Sequence, residues 1–220
     1  MGKTVKAALF DLDGTLINSE RRSMAVWAML LDSHGVVHDE VVLRGFMGRR
    51  GRDVLTERAH LFPGRRIDDL IEEAFSFQNH PDLPDIVPVP GAAELVRRVA
   101  AYGSPIAVVT SAGRDWAEER LAQVGIRDLL ETVVSAHDVT VGKPDPEGFL
   151  LAAARLSVDP AHCVAFEDSI AGIAAAKAAG MACVGIATTH PGTELTAADL
   201  VVADLTGVDW PLSSINAEHQ

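Results

Sequence analysis

Hydrophobic and polar positions follow two different rhythms along this chain. From Pro90 onward, short apolar, β-rich runs alternate with stretches of helical period. IAVVT (106–110), TVVSA (132–136), HCVAFED (162–168), ACVGIA (182–187) and DLVVADL (199–205) read as strands, and VKAALFD (5–11) adds one at the front. Helical patterns fill 91–102, 114–123, 146–156 and 170–179. Near-continuous apolar strands separated by amphipathic helices predict a parallel sheet covered on both faces. Right-handed crossovers and short loops then favour an α/β, doubly wound (Rossmann-like) sheet.

Residues 17–87 break that rhythm. SMAVWAMLLDSHG, DVLTERAHLF and IDDLIEEAFSFQ are helical in period, and no strand is evident among them. HPDLPDIVPVPG (80–91) carries four prolines and reads as a stiff linker. The expected organisation is therefore an α/β core of residues 1–16 and 88–220, with a small all-helical unit, residues 17–87, inserted after the first strand.

Composition narrows the function classes. The chain has 220 residues, 48% of them hydrophobic, enough for a sizeable core. Its formal net charge of −12 lacks the basic footprint of a nucleic-acid binder. The stretch IAGIAAAKAAGMACVGIA (170–187) is apolar, but Lys177 interrupts it and Gly180 divides it into helix and strand, so no membrane span is expected. The two cysteines, Cys163 and Cys183, lie in apolar runs without metal-ligand spacing and read as buried reduced thiols of a cytoplasmic protein.

In open α/β sheets, ligands bind beyond the carboxyl ends of the strands, so the chemistry is sought there. The first strand ends in Asp11-Leu12-Asp13-Gly14-Thr15, whose two carboxylates share a face while Leu12 points away. The second ends in Thr110-Ser111-Ala112-Gly113, where hydroxyls and free N–H groups at a helix start suit a phosphate. Gly142-Lys143-Pro144-Asp145-Pro146 follows the third, without the glycine spacing of a P-loop. Glu167-Asp168-Ser169 ends the fourth. Each signal alone is modest. Four carboxylates at one mouth, however, stay ionised together only around a cation, and hard oxygen donors beside a phosphate site favour Mg²⁺. Mg²⁺-assisted phosphoryl transfer is the expected chemistry.

DLDGT, the apolar run into Thr110, GKPDP and FEDSIAG, in that order over nearly the whole chain, resemble the four motifs of haloacid dehalogenase superfamily phosphatases with a helical cap. The resemblance implies that Asp11 is a nucleophile forming an aspartyl-phosphate and that Asp13 is the acid–base. It implies that Thr110, with Ser111 and Ala112, and Lys143 hold the phosphoryl group. Mg²⁺ would bind Asp11, the Asp13 backbone carbonyl and Asp168, with Glu167 direct or through water.

Within the family, Asp13 points to phosphate esters rather than carbon–halogen or carbon–phosphorus bonds. Phosphomutase relatives carry a cap histidine near the position of Ser23 and a lysine at that of Gly113, and both are missing here. The expected activity is hydrolysis of small phosphorylated metabolites, sugar or polyol phosphates above all. A β-phosphoglucomutase-type mutase and a phosphoglycolate-type phosphatase are the alternatives. No nucleic-acid or membrane partner is expected, and the chain reads as a monomer or homodimer. In the cap segment GFMGRRGRDVL (45–55), Arg49, Arg50 or Arg52 are candidate substrate contacts, as is Glu20 at the hinge. His34 and His38 are separated by Gly35 and do not read as a metal pair. His137 reads as a loop residue; His190, at the end of the fifth strand and within reach of the site, reads as structural, and Trp27, Trp116 and Trp210 read as packing residues.

Overall fold

β1 (Ala7–Phe10) is buried at all four residues and lies inside the sheet, which is why its sequence is apolar without alternation. A computed structural model describes residues 7–78 and 80–212, so positions 5 and 6 of the expected first strand lie outside the described residues, as do 1–4, 79 and 213–220 of the expected domains. Five more strands complete the sheet: β4 (Ile106–Val109), β5 (Thr132–Val134), β6 (Cys163–Glu167), β7 (Ala182–Ile186) and β8 (Leu200–Val202). Their order is β5-β4-β1-β6-β7-β8, and every pairing is parallel.

Alternate residues of each inner strand face opposite sides. Ala8, Phe10, Ile106, Val108, Val164 and Phe166 enter one apolar cluster with Leu95, Val96 and Val99 of α5 (Ala92–Tyr102) and Ala117 and Leu121 of α6 (Arg114–Val124). Ala7, Leu9, Ala107, Val109, Cys163 and Ala165 enter the other, with α7 (Glu147–Leu156) and α8 (Ile170–Ala178). The sheet is thus covered on both faces. Cys163 and Cys183 are buried and unpaired, and burial pushes the Cys163 thiol up to about 12.

Between the first and second core strands the chain forms a third apolar cluster of its own. It draws on α1 (Glu20–Ser33), α2 (Glu40–Arg44), α3 (Gly51–Glu57) and α4 (Ile67–Phe77), centred on Leu30, Phe46, Leu55 and Leu70. The crossing into and out of this unit differs from the sequence expectation of no strand. β2 (Ile17–Asn18) and β3 (Val87–Pro88) pair antiparallel where the chain leaves and re-enters the core. Two-residue strands are too short to display an alternating pattern, and the proline sits where a ribbon needs few donors. The outer strands β5 and β8 are likewise shorter than their apolar runs. His34 and His38 bond Glu73 and Asp32 separately, as the helix break at Gly35 implies.

Phe10 and Phe166 stack across neighbouring strands with centroids 4.5 Å apart, both fully buried. Phe166→Ala leaves a cavity beneath the carboxyl ends of the central strands and is expected to destabilise the fold by about 3–5 kcal/mol. Urea unfolding monitored by circular dichroism reads this. A loss below about 1 kcal/mol would mean the core closes over the cavity.

Candidate active site

The carboxyl ends of β1, β4 and β6 adjoin one another, so Asp11, Thr110, Glu167 and Asp168 arrive at one mouth. Lys143 reaches it from the loop after β5. Its ammonium donates to Asp11 Oδ1 at 2.5 Å, to Glu167 Oε1 at 2.5 Å and to the Val109 carbonyl at 3.0 Å. All three donor positions of the ammonium are therefore occupied. Lys143 and Asp11 are 6% exposed and Glu167 is fully buried, so this is an interior charge cluster and not a surface ion pair.

Asp11, Glu167 and Asp168 each place a carboxylate oxygen within 4.8 Å of the others. Burial raises the Asp11 carboxyl against the opposing pull of Lys143. It raises Glu167 to about 7, and it raises Asp168 well above the ordinary range with the help of the Asp11 and Glu167 charges. Burial also depresses Lys143, but the Asp11 and Glu167 charges outweigh it and hold the ammonium protonated. Ionised together, three carboxylates against one ammonium would carry two net negative charges in this buried site. A divalent cation would cancel them, and the all-oxygen donor set suits a hard ion. The residues present fit Mg²⁺.

Gly14 makes the cluster possible. Its φ is +91°, and a Cβ there would stand 2.0 Å from Asp168 Oδ2, so only glycine lets Asp168 approach the turn. Thr15 Oγ1 donates to Asp168 Oδ1 at 3.3 Å, and Thr188 Oγ1 donates to the Gly14 carbonyl at 2.5 Å. Ser169 caps α8 by accepting from the Gly172 N–H, and its hydroxyl donates to Glu167 Oε2 at 3.1 Å. His190 Nδ1 lies 3.2 Å from the Asp168 carbonyl, which makes that nitrogen the donor.

Asp13 is partly buried, and it is set apart from the carboxylate trio by its own partners. Ser19 Oγ donates to Asp13 Oδ1 at 2.6 Å and Trp116 Nε1 donates to the same oxygen at 3.2 Å. Burial and the Asp11 charge push Asp13 up to about 6 against the pull of the two donors. Trp116, read from the sequence as a packing residue, is therefore bonded to a candidate acid–base. Nothing in its local sequence signals this, since the two residues lie 103 positions apart.

At the end of β4, the Ala112 N–H donates to Thr110 Oγ1 at 3.0 Å, leaving the threonine hydroxyl hydrogen free to donate. Ser111 Oγ donates to the Gly48 carbonyl at 3.2 Å, a contact from core to cap. Gly48, at φ +72°, presses against Ser169, where a Cβ would stand 2.5 Å from the serine Cβ. Arg50 completes the closure by donating to the Val139 and Thr140 carbonyls at 3.0 and 2.8 Å while paired with Asp53. The cavity among Arg50, Thr110, Ser111 and Lys143 is only about 20 Å³, room for about one water. A larger hollow, about 420 Å³, runs along β8 and holds none of these residues.

The other cap candidates are engaged elsewhere. Arg49 forms a two-pronged pair with Glu57, and Arg52 is exposed and paired with Asp68. Glu20 opens α1, and burial raises its carboxyl.

Asp138 was not singled out by sequence, yet it ties together the elements that carry the site. It accepts from the Ser135 N–H and hydroxyl after β5, from Arg114 at the start of α6 and from Arg155 near the end of α7. Burial alone would raise this carboxyl, but the Arg155 and Ser135 hydrogen bonds and the Arg114 charge together hold it well below the usual range. A carboxyl depressed in the folded state stabilises above its unfolded value and loses that contribution as pH falls. Asp138→Asn is expected to cost about 1–3 kcal/mol at neutral pH. The gap between wild type and variant should shrink below about pH 4, where unfolded aspartate protonates. Urea titrations across pH read it, and a gap that persists unchanged in acid would contradict the assignment.

Among the described residues no helix is long and apolar enough to cross a membrane. The family model for haloacid dehalogenase-like hydrolases matches residues 5–180. The chain is similar to the validoxylamine A 7'-phosphate phosphatase of Streptomyces hygroscopicus subsp. limoneus, with 46% identity over 94% of this chain and 97% of that one. It is also similar to hexitol phosphatase A of Escherichia coli, with 32% identity over 91% of each. Among solved structures, a hydrolase from Pseudomonas syringae superposes with a TM-score of 0.80 at 26% identity, covering 91% of this chain and 94% of that one.

Proposed function

The chain belongs to the haloacid dehalogenase-like hydrolases, and from that premise we propose that it hydrolyses phosphate monoesters of small polyhydroxylated metabolites through an aspartyl-phosphate on Asp11. The observation that carries the reading is the Lys143 ammonium bridging Asp11 and Glu167 inside a buried three-carboxylate cluster. A carboxylate approaches a phosphate dianion only when positive charge offsets the repulsion. Lys143 supplies part of it. Asp11, Asp168 and the Asp13 backbone carbonyl, with Glu167 direct or through water, are the residues that would hold Mg²⁺, which when bound supplies the remaining charge and polarises the phosphoryl oxygens.

An Asp11 carboxylate oxygen attacks phosphorus as the ester P–O bond breaks. The departing alkoxide takes a proton from Asp13. Thr110 and Lys143 steady the transferring group. Water then attacks the phosphorus of the aspartyl-phosphate and loses its proton to Asp13. The P–O bond to Asp11 breaks, and inorganic phosphate leaves. Acid–base help of this kind is worth roughly 10²–10⁴-fold.

Residues 17–87 act as a cap that chooses the substrate. The cap rests on the core through Gly48, against Ser111 and Ser169, and through Arg50, on the 139–140 carbonyls, so lifting these contacts would widen the route to the strand ends. Arg49 and Arg52 pair with Glu57 and Asp68 at the surface, pairs weak enough to open toward a substrate group. The names of the two curated relatives, a validoxylamine 7'-phosphate phosphatase and a hexitol phosphatase, point to the same substrate class.

Phosphate release from hexose, pentose, hexitol and glycerol phosphates, phosphoglycolate and β-glucose 1-phosphate tests the proposal. Turnover is expected on sugar or polyol monophosphates with Mg²⁺, and it should vanish with EDTA and return on adding Mg²⁺. Asp11→Asn should lower kcat by at least about 10⁴-fold with its melting temperature retained. Isomerisation of β-glucose 1-phosphate without net phosphate release would establish a mutase instead.

A further inference from the structure

Asp13 Oδ1 receives two hydrogen bonds from two different elements. Ser19 donates from the N-cap position of α1, just after β2, and the Trp116 indole donates from α6, the helix that follows Thr110. An indole N–H has no acceptor role, so its orientation leaves one meaning for the contact: Oδ1 is an acceptor. The ring is itself held in place. It packs against the core cluster on one side, and the Arg120 guanidinium lies 4.5 Å from its centroid. Arg120 is in turn bonded to Gln123 and paired with Glu119, so the stack is fixed within one helix.

A carboxylic acid has one oxygen that accepts and one that carries the proton. Two donors on Oδ1 reserve that oxygen as the acceptor, which leaves Oδ2 to carry the O–H. We propose that Trp116 is a positioning residue for the acid–base step: with Ser19 it pins Asp13 Oδ1, so that Oδ2 delivers the proton to the leaving oxygen and later takes one from water. Trp116 does not touch the reacting phosphoryl group. It sets the rotation of the carboxyl that does the proton transfer, and it links that rotation to the same helix whose N-terminus follows the phosphate-binding turn. The inference rests on the hydrolytic reading above and adds a residue to it.

The test compares two esters that differ in their need for a proton. p-Nitrophenyl phosphate departs as a stabilised phenolate and needs little acid help, whereas a sugar phosphate departs as an alkoxide and needs a full proton. Because kcat/KM covers steps only through the first irreversible one, hydrolysis of the shared aspartyl-phosphate does not enter the comparison. Trp116→Phe keeps an aromatic ring beneath Arg120 and removes the N–H. It is expected to lower kcat/KM about tenfold for the sugar phosphate turned over fastest, and less than about twofold for p-nitrophenyl phosphate. Ser19→Ala removes the companion donor and is expected to give the same selective loss, so the test survives a W116F that folds poorly. Equal losses on both esters, or no loss on either, would overturn the inference and leave the hydrolytic reading standing. A wild-type protein that releases phosphate from neither ester with Mg²⁺ would overturn both.

Discussion

The interior ion cluster around Lys143 is the constraint that organises this molecule. An ammonium and three carboxylates out of water are costly individually, and no single pairing among them balances the charge. They are tolerated because each comes from a rigid place: Asp11 and Glu167 from the ends of adjacent buried strands, Lys143 from a loop bounded by prolines, Asp168 against the Gly14 turn. The apolar faces of the sheet fix those strand ends, and Asp138 ties the neighbouring elements behind them. Burial raises these carboxyls, and a divalent cation among them would favour their ionised forms, which is why the cluster fits such an ion.

The cap solves a different problem. Bulk solvent would weaken every charge interaction in the site. Gly48 packs against Ser169 and Arg50 spans two core carbonyls, which seats the cap on the core beside the strand ends. The paired β2–β3 crossing holds the cap at adjacent attachment points in place of a single loose tether. Arg50 also joins the cap to the stretch that continues into Lys143, so cap position and the lysine loop are mechanically connected.

Sequence legibility followed from burial. The inner strands could be read because both of their faces are apolar, and the motifs could be placed because a parallel sheet gathers its strand ends. What escaped reading depended on partners far along the chain. The Trp116–Asp13 bond spans 103 positions and Asp138 draws on Arg114 and Arg155, so no local pattern announces either. The cap arginines illustrate the same limit from the other side. A run of charge is visible in sequence, but the pairing of Arg52 with Asp68 is visible only once α3 and α4 are packed together. The β2–β3 ribbon escaped because two residues carry no period.

Chemical capture of the covalent intermediate tests the central claim most directly. The enzyme, mixed with Mg²⁺ and its fastest sugar phosphate, is quenched in acid during the first turnover and digested, and the peptides are weighed by mass spectrometry. The account predicts a phosphoryl increment on the peptide holding Asp11, localised to that carboxylate and lost when the quench is delayed until substrate is exhausted. An unmodified Asp11 throughout a turnover that releases phosphate, or the increment on another residue, would contradict it.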